Sequence, residues 1–314
     1  MTYIETLGAN AAAAKKSLIS ADTEKKNAAL QKIAEALLAH SSEIIEANAA
    51  DLKAARENGM SVSMQDRLML NEDRIKGISD AVSELIKLED PIGRVDNGSV
   101  RPNGLRITKV RVPMGVIGMI YESRPNVTAD AATLCLKTGN AVILRGGKEA
   151  YNSNKCICNI MRDAVEEAGF PKDIIQFVDD TTREVTTELM KCNKYLDLLI
   201  PRGGAGLIRA VTRNATVPVI ETGTGNCHIY IDKSADIEMG VNITDNGKTQ
   251  RPSVCNALET LLVHKDIAEK FLPAVKAKLD EHNVELRGCP ETVRILGNCV
   301  TPATDDDYAT EFGD

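Results

Sequence analysis

A chain of 314 residues, 43% of them apolar and 26% charged, has the makeup of a soluble globular protein long enough for two domains. Its net charge of −7 argues against a binder of phosphate backbones, and 3% aromatic residues with no Trp leave little to stack on nucleobases. Its N-terminus lacks a basic-then-apolar leader pattern, and its apolar runs, such as 141–144, are too short to cross a bilayer. Eight cysteines without a C-x-x-C pair form neither a zinc knuckle nor a dense disulfide framework, and no metal site is expected. Reduced thiols in a cytoplasmic protein are the default reading.

The first ninety or so residues read as helices. Ala29, Leu30, Ile33, Leu37 and Leu38 recur at helical spacing behind a cap at Asp22 or Thr23. Ser41 or Ser42 would cap a second helix running to Asn58, with Gly59 as its stop. Ile75, Ile78, Val82, Leu85 and Ile86 mark another apolar stripe. This helical layer carries no obvious chemistry.

Turn signals at Asn97-Gly98 and Asn103-Gly104 follow. Leu105, Ile107, Val110 and Val112 then alternate with polar neighbours, which predicts an exposed strand or hairpin near 99–112. Such an edge is either protected or used to pair with another subunit, and pairing is the favoured reading.

From Gly115 onward, short apolar runs at 116–121, 141–144, 174–178, 196–200 and 217–220 read as buried strands. Helical stretches near 128–137, 153–168, 183–191 and 206–213 lie between them. That alternation predicts an α/β domain with a doubly wound parallel sheet, a fold that binds ligands at the carboxyl ends of its strands. Three polar loops follow those strands: 122–126, 145–149 and 202–206, each with a cation. Glycines let a backbone come close to a ligand, and a helix N-terminus attracts anions. The G-x-G-x-x-G fingerprint is missing, and Arg145 and Lys148 stand where an acidic grip on a ribose is expected. Cations there suit a 2′-phosphate, so a dinucleotide at this loop is expected to be NADP(H) rather than NAD(H).

Lys248-Thr-Gln-Arg251-Pro-Ser-Val-Cys255-Asn256 sets one cysteine among polar and cationic residues, directly before the apolar run 257–263. Positive charge favours the thiolate, the nucleophilic form, whereas most cysteines are buried hydrophobes with apolar neighbours. Cys227 and Cys135 fit that second description and read as packing. His228 reads as a hydrogen-bonded core residue, and His40, His264 and His282 as surface without metal-like spacing.

The segments Gly115–Thr128 with Tyr121-Glu-Ser-Arg-Pro-Asn126, Cys135–Glu149, Pro201–Gly206, Glu221–His228 and Lys248–Asn256 resemble the γ-glutamyl phosphate reductases. These form a branch of the aldehyde dehydrogenase superfamily, and the resemblance runs along essentially the whole chain, in order. It implies an aldehyde dehydrogenase-like α/β fold: helices and an NADPH-binding domain over 1–232, then the first part of an α/β catalytic domain over 233–314. It implies NADPH-dependent reduction of L-glutamyl 5-phosphate to L-glutamate 5-semialdehyde, the second step of proline biosynthesis from glutamate. Cys255 matches the family's nucleophile and Asn126 the oxyanion-hole asparagine. Lys148 matches the lysine beside the adenine ribose, and Gly146 falls in the same loop. Gly203, Gly204 and Gly206 match the pyrophosphate-side loop. Glu221 stands where aldehyde-oxidising relatives keep a water-activating base; that role would waste a thioester, so nicotinamide contact or a structural role is expected instead. Arg251, and less so Lys248, are candidates for the phosphate. Family members continue past residue 314, which leaves an alternative in which the chain is a catalytically incomplete fragment that binds only cofactor or subunits. A homo-oligomer is expected of the full-length form, with no nucleic-acid or membrane partner.

Overall fold

The computed structural model describes residues 1–312 other than 123, 222, 224 and 253, and omits the side chain of residue 63. The chain divides into two compact units, Met1–Thr222 and Gly223–Asp314.

The first unit begins with five helices: α1 (Tyr3–Ile19), α2 (Thr23–Ala39), α3 (Ser41–Glu57), α4 (Val62–Leu68) and α5 (Glu72–Lys87). Thr2 and Glu5 close a capping box on α1, and Asp22 and Asn71 cap α2 and α5 by accepting from Lys25 N and Arg74 N. The expected serine cap on α3 is absent. Because α2 runs to Ala39, His40 serves as both its C-cap and the N-cap of α3, and Ser41 is already helical. Gly59, at φ 70°, ends α3 as its position suggested.

A hairpin follows, β1 (Val95–Val100) against β2 (Arg106–Val110), antiparallel and exposed along both strands. Its first strand arises inside the stretch that turn residues marked as loop, so the hairpin begins earlier than the sequence suggested.

Four parallel strands form the unit's sheet: β3 (Val116–Tyr121), β4 (Ala141–Arg145), β5 (Ile175–Phe177) and β6 (Leu198–Arg202), in the order β5-β4-β3-β6. Every residue of β3 is buried, as a strand covered on both faces requires. The intervening helices are α6 (Asn126–Lys137), α7 (Tyr151–Glu167), α8 (Arg183–Met190) and α9 (Ala205–Asn214). The strand expected at 217–220 is reduced to one bridge, Leu199 with Val219, because Pro218 in its middle has no N–H to donate. The chain adds β4 and β5 on one side of β3 and β6 on the other. The order therefore reverses between β3 and β6, and their carboxyl ends flank the switch point.

The helical layer is tied to α6 by buried charge. Lys26 on α2 is buried and ion-paired to Asp90, while buried Lys137 at the end of α6 donates to Asn27 Oδ1 at 2.8 Å and Ile86 O at 3.1 Å. Burial raises the Asp90 pKa, but bonds from Lys26, Ile92 and Thr23 outweigh it and hold the carboxyl below its usual range.

The second unit pairs β7 (Cys227–Ile231) in parallel with β8 (Leu258–Val263) and packs α10 (Ile237–Thr249) and α11 (Lys265–Asp280) with them. A short parallel pair, β9 (Arg287–Gly288) and β10 (Thr301–Pro302), flanks α12 (Pro290–Leu296). The core here is small, with Ile231, Ile267, Phe271, Val275 and Leu279 fully enclosed. Phe271→Ala should cost about 3–5 kcal/mol, a large share of the stability of a unit this size. Amide exchange should then accelerate across β7, β8, α10 and α11 while β3 and β4 stay protected; unchanged protection in β7 and β8 would refute this.

Candidate active site

In the first unit the three polar loops all lie at carboxyl ends of parallel strands. Glu122 follows β3, and its N–H donates to Arg202 O at 3.2 Å across the switch point. Its carboxylate accepts from Gly204 N at 2.9 Å, at the start of α9, which has no side-chain cap of its own. A negatively charged oxygen thus already sits at this helix N-terminus, where backbone N–H groups and the helix dipole favour anions. Gly203 is required by that approach, since a Cβ there would lie 2.4 Å from Glu122 Oε2. Beside Gly206 a Cβ would meet nothing within 4 Å.

Asn126 is the first residue of α6 and half-buried; its Nδ2 donates to Asp130 Oδ2 at 2.9 Å. Burial pushes the Asp130 carboxyl up while the Asn126 bond pulls it down, and the net shift is upward. The bond fixes the amide and leaves its second N–H for another acceptor. After β4, Arg145 is half-buried and donates to Gly146 O at 3.0 Å and Thr181 O at 2.6 Å, so this cation is spent on the loop itself. Lys148 is exposed and makes no ion pair among the described residues. Glu221 is exposed too, and its carboxylate accepts from Thr212 Oγ1 at 2.6 Å, which ties it to α9.

Beneath these loops runs a buried network. The Tyr121 and Thr128 hydroxyls lie 2.7 Å apart, and Thr128 donates onward to Asn154 Oδ1 at 3.0 Å. It links the end of β3, the first turn of α6 and the first turn of α7. Gly146 completes the arrangement, because a Cβ there would lie 2.2 Å from Asn154 Nδ2 and 3.2 Å from Tyr121 Cζ. A second buried group, Asp51, accepts from Ser153 N at 2.8 Å, Asn152 Nδ2 at 2.8 Å and Ser153 Oγ at 2.6 Å, and so caps α7 from α3.

In the second unit Cys255 is exposed in the turn between α10 and β8. Lys248, near the end of α10, pairs with the carboxylate of Glu259 on β8 at 3.1 Å, both largely buried. This pair spans the loop that carries Cys255. Arg251 is exposed and makes no ion pair among the described residues. Of the two cations flagged as phosphate contacts, Lys248 is thus engaged by a carboxylate, while Arg251 has no such partner among the described residues.

Two features of this unit were not read from the sequence. Gly225 presses against the Cys255 backbone: a Cβ on it would lie 2.1 Å from Cys255 O. Cys227, read as packing, is only half-buried, and its thiol reaches Cys255 O at 3.5 Å. The Glu221–His228 segment displayed both residues, but only pairing of β7 with β8 brings them to Cys255. His228 is exposed rather than in the core, with Nδ1 2.7 Å from Asn226 O. The sequence alternates along β7, and His228 and Tyr230 fall on its open face.

The site residues therefore fall into two sets, each on its own unit: Asn126, Gly146, Lys148, Gly203, Gly204, Gly206 and Glu221 on the first, Lys248, Arg251 and Cys255 on the second. A parallel sheet with glycine loops at its strand ends, followed by a second unit with an exposed cysteine, is an arrangement that fits an oxidoreductase of the aldehyde dehydrogenase kind. The aldehyde dehydrogenase family model matches residues 2–295, and the chain belongs to that family. Within it the chain groups with the gamma-glutamyl phosphate reductases. The enzyme of that name from Heliobacterium modesticaldum is 58% identical over 295 residues, covering 94% of this chain and 70% of the relative. The one from Clostridium perfringens is 57% identical over 307 residues, covering 98% and 74%. Among solved structures, the Thermotoga maritima gamma-glutamyl phosphate reductase superposes with a TM-score of 0.92 at 48% identity, over 100% of this chain and 75% of that one. The Saccharomyces cerevisiae enzyme gives 0.66 at 30%, over 96% and 78%. No helix among the described residues is long and apolar enough to cross a membrane.

Two outcomes follow from these environments. Thr128→Val removes the middle of the buried network and leaves the Tyr121 hydroxyl and Asn154 carbonyl without their partner, at a cost of about 2 kcal/mol in denaturant unfolding. A value near zero would show the network to be energetically idle. Burial pushes the Cys135 and Cys158 thiols up to about 12, so near pH 8 they stay protonated. Iodoacetamide on native protein should label exposed Cys255 well before either of them, and labelling in the reverse order would contradict the geometry.

Proposed function

We propose that the chain catalyses the NADPH-dependent reduction of L-glutamyl 5-phosphate to L-glutamate 5-semialdehyde and phosphate, the second step of proline biosynthesis. The observation that supports this most is an exposed Cys255 on a loop braced by an ion pair, in a chain that groups with the gamma-glutamyl phosphate reductases.

The Cys255 thiolate attacks the acyl carbon of the substrate, and the carbonyl oxygen takes up negative charge. The free N–H of Asn126 and the backbone N–H of Cys255 donate to that oxygen; one such donor is worth ~3 kcal/mol of barrier. Collapse expels phosphate and leaves a thioester on Cys255, dividing one difficult step into two easier ones. Arg251, exposed and without an ion pair among the described residues, holds the departing phosphate. Lys248, engaged by Glu259, holds the loop in place. When bound, NADPH supplies the hydride that takes the acyl group to the aldehyde level.

The chain's residues fit that cofactor. The start of α9 already accepts a carboxylate oxygen at Gly204 N, so a pyrophosphate suits the same donors once Glu122 swings away. Lys148, exposed and without an ion-pair partner among the described residues, would face a 2′-phosphate. The tie from Thr212 to Glu221 supports a structural role for that carboxylate rather than water activation, which spares the thioester from hydrolysis. The exposed hairpin, with Val95, Val100, Leu105, Ile107 and Val110 open to solvent, is the surface we assign to pairing with a second copy. The compartment is the cytoplasm, in keeping with eight free thiols.

Phosphate-dependent reduction of NADP⁺ by glutamate semialdehyde, the reverse reaction, tests the assignment. Activity should vanish in Cys255→Ala and fall ~10²–10³-fold in kcat in Asn126→Ala. Lys148→Glu should raise KM for NADP⁺ while leaving that for NAD⁺ nearly unchanged. Full activity in Cys255→Ala sinks the mechanism. A chain that turns over other aldehydes equally well, without phosphate, sinks the substrate.

A further inference from the structure

Cys227 has no part in the reaction above, yet its thiol lies beside the backbone of the proposed nucleophile. Cys227 opens β7, and its partner in the parallel ladder is Leu258, three residues after Cys255. Its Sγ is 3.5 Å from Cys255 O, an atom only four bonds from the Cys255 sulfur. Gly225, two residues before Cys227, fixes this approach independently, since a Cβ on it would lie 3.1 Å from Cys255 Cα. Two backbone segments this close bring the pair within the reach of a disulfide after rotation of the side chains.

We propose that Cys227 and Cys255 form an oxidative modification site, in which a hydroperoxide converts the two thiols into one intramolecular disulfide. The Cys255 thiolate attacks the peroxide; an S–O bond forms, the O–O bond breaks, and the leaving oxygen takes a proton to become water or an alcohol. The Cys227 thiol then attacks the Cys255 sulfur; the S–S bond forms, the S–O bond breaks, and the sulfenic oxygen leaves as water with the Cys227 proton. Two thiols lose two electrons and one hydroperoxide gains them. Without a resolving thiol at hand, a sulfenic acid can advance to the sulfinic acid, which most cells cannot reverse. Exposure separates the roles: Cys255, open to solvent, meets the oxidant first, and half-buried Cys227 resolves it. Among the other cysteines, Cys135, Cys158 and Cys192 are buried and Cys156 is half-buried, while Cys289 and Cys299 are exposed and serve as internal controls.

The inference concerns thiol chemistry alone and holds whatever substrate Cys255 serves. The full chain, fully reduced, is treated with one equivalent of hydrogen peroxide, alkylated and digested without reductant. Mass spectrometry should recover a Cys227–Cys255 cross-linked peptide, with loss of two of the eight thiols, no covalent dimer on a non-reducing gel, and full return of thiols with dithiothreitol. In Cys227→Ser, dimedone should trap Cys255 as a sulfenic acid that excess peroxide carries to the sulfinic acid. Three results overturn the proposal: Cys255 linked to Cys289 or Cys299, intermolecular linkage only, or sulfinic acid forming on Cys255 in the unaltered chain as fast as in the variant. The first measurement needs no variant, so a misfolded Cys227→Ser leaves it decisive. An inactive reductase that still forms the disulfide would fault only the substrate assignment.

Discussion

The Tyr121–Thr128–Asn154 hydrogen bonds are the constraint on which the first unit's loops depend. All three side chains are buried, so each polar group left unpaired would cost the full loss of its hydration. The chain avoids that cost in one arrangement: β3, α6 and α7 must end and begin where these groups meet. Gly146 must also lack a side chain, or Asn154 could not stay in place. The loops are therefore set from below, by a polar layer that tolerates little displacement. Asp51 and Asn48 extend the same logic to the helical layer, and Lys137 anchors the far end of α6. Asn126 thus stands on a helix pinned at both ends, as preorganised electrostatic stabilisation requires.

The second unit solves a different problem with fewer resources. Its enclosed core is a handful of side chains, and its exposed Cys255 lies on a turn rather than on a regular element. Two contacts give that turn its definition. The Lys248–Glu259 pair joins its two ends, and such a pair, once buried, resists loss of either partner because an unpaired charge would remain. Gly225 supplies the other: its backbone runs so close to the Cys255 peptide that a Cβ on it would lie 2.1 Å from Cys255 O. An ion pair adds little net stability here, but it ties the end of α10 to β8 across the turn.

The sequence resolved what is local and periodic. Helical stripes, caps such as Asp22, the stop at Gly59 and the buried parallel strands follow from spacing and from residue types that act within a few positions. Cys255 was visible for the same reason, as a thiol among the wrong neighbours. What escaped depends on partners distant in sequence. Gly146 and Gly203 looked like glycines cleared for a ligand; the space beside them is filled by Asn154 and Glu122. Lys248 looked like a free cation until folding placed Glu259 against it. The strand at 217–220 had the apolar pattern, yet one missing N–H at Pro218 reduced it to a bridge. Cys227 had the apolar context of a packing residue, and only strand pairing reveals its neighbour.

The cysteines show how little of reactivity resides in residue type. Burial lifts Cys135 and Cys158 far out of the range where a thiolate forms, by itself at Cys135 and as the largest cause at Cys158, where Arg162 and Asp179 act in opposite directions. Cys255 stands outside the core, open to solvent, on the loop that the Lys248–Glu259 pair spans. The same openness admits substrates and oxidants alike, because an accessible thiolate cannot discriminate between an acyl phosphate and a peroxide by shielding. Selectivity must then come from groups that stabilise only the intended product of attack. In the proposed mechanism an oxyanion donor such as Asn126 would do so for acyl transfer, since no comparable charge builds on a carbonyl during attack on peroxide. A thiol at the position of Cys227 acts after the fact, by determining what becomes of the oxidised sulfur. Under the proposed mechanism, catalytic reach and chemical vulnerability therefore have one origin: a cysteine placed on a turn of a unit with a small core rather than within that core.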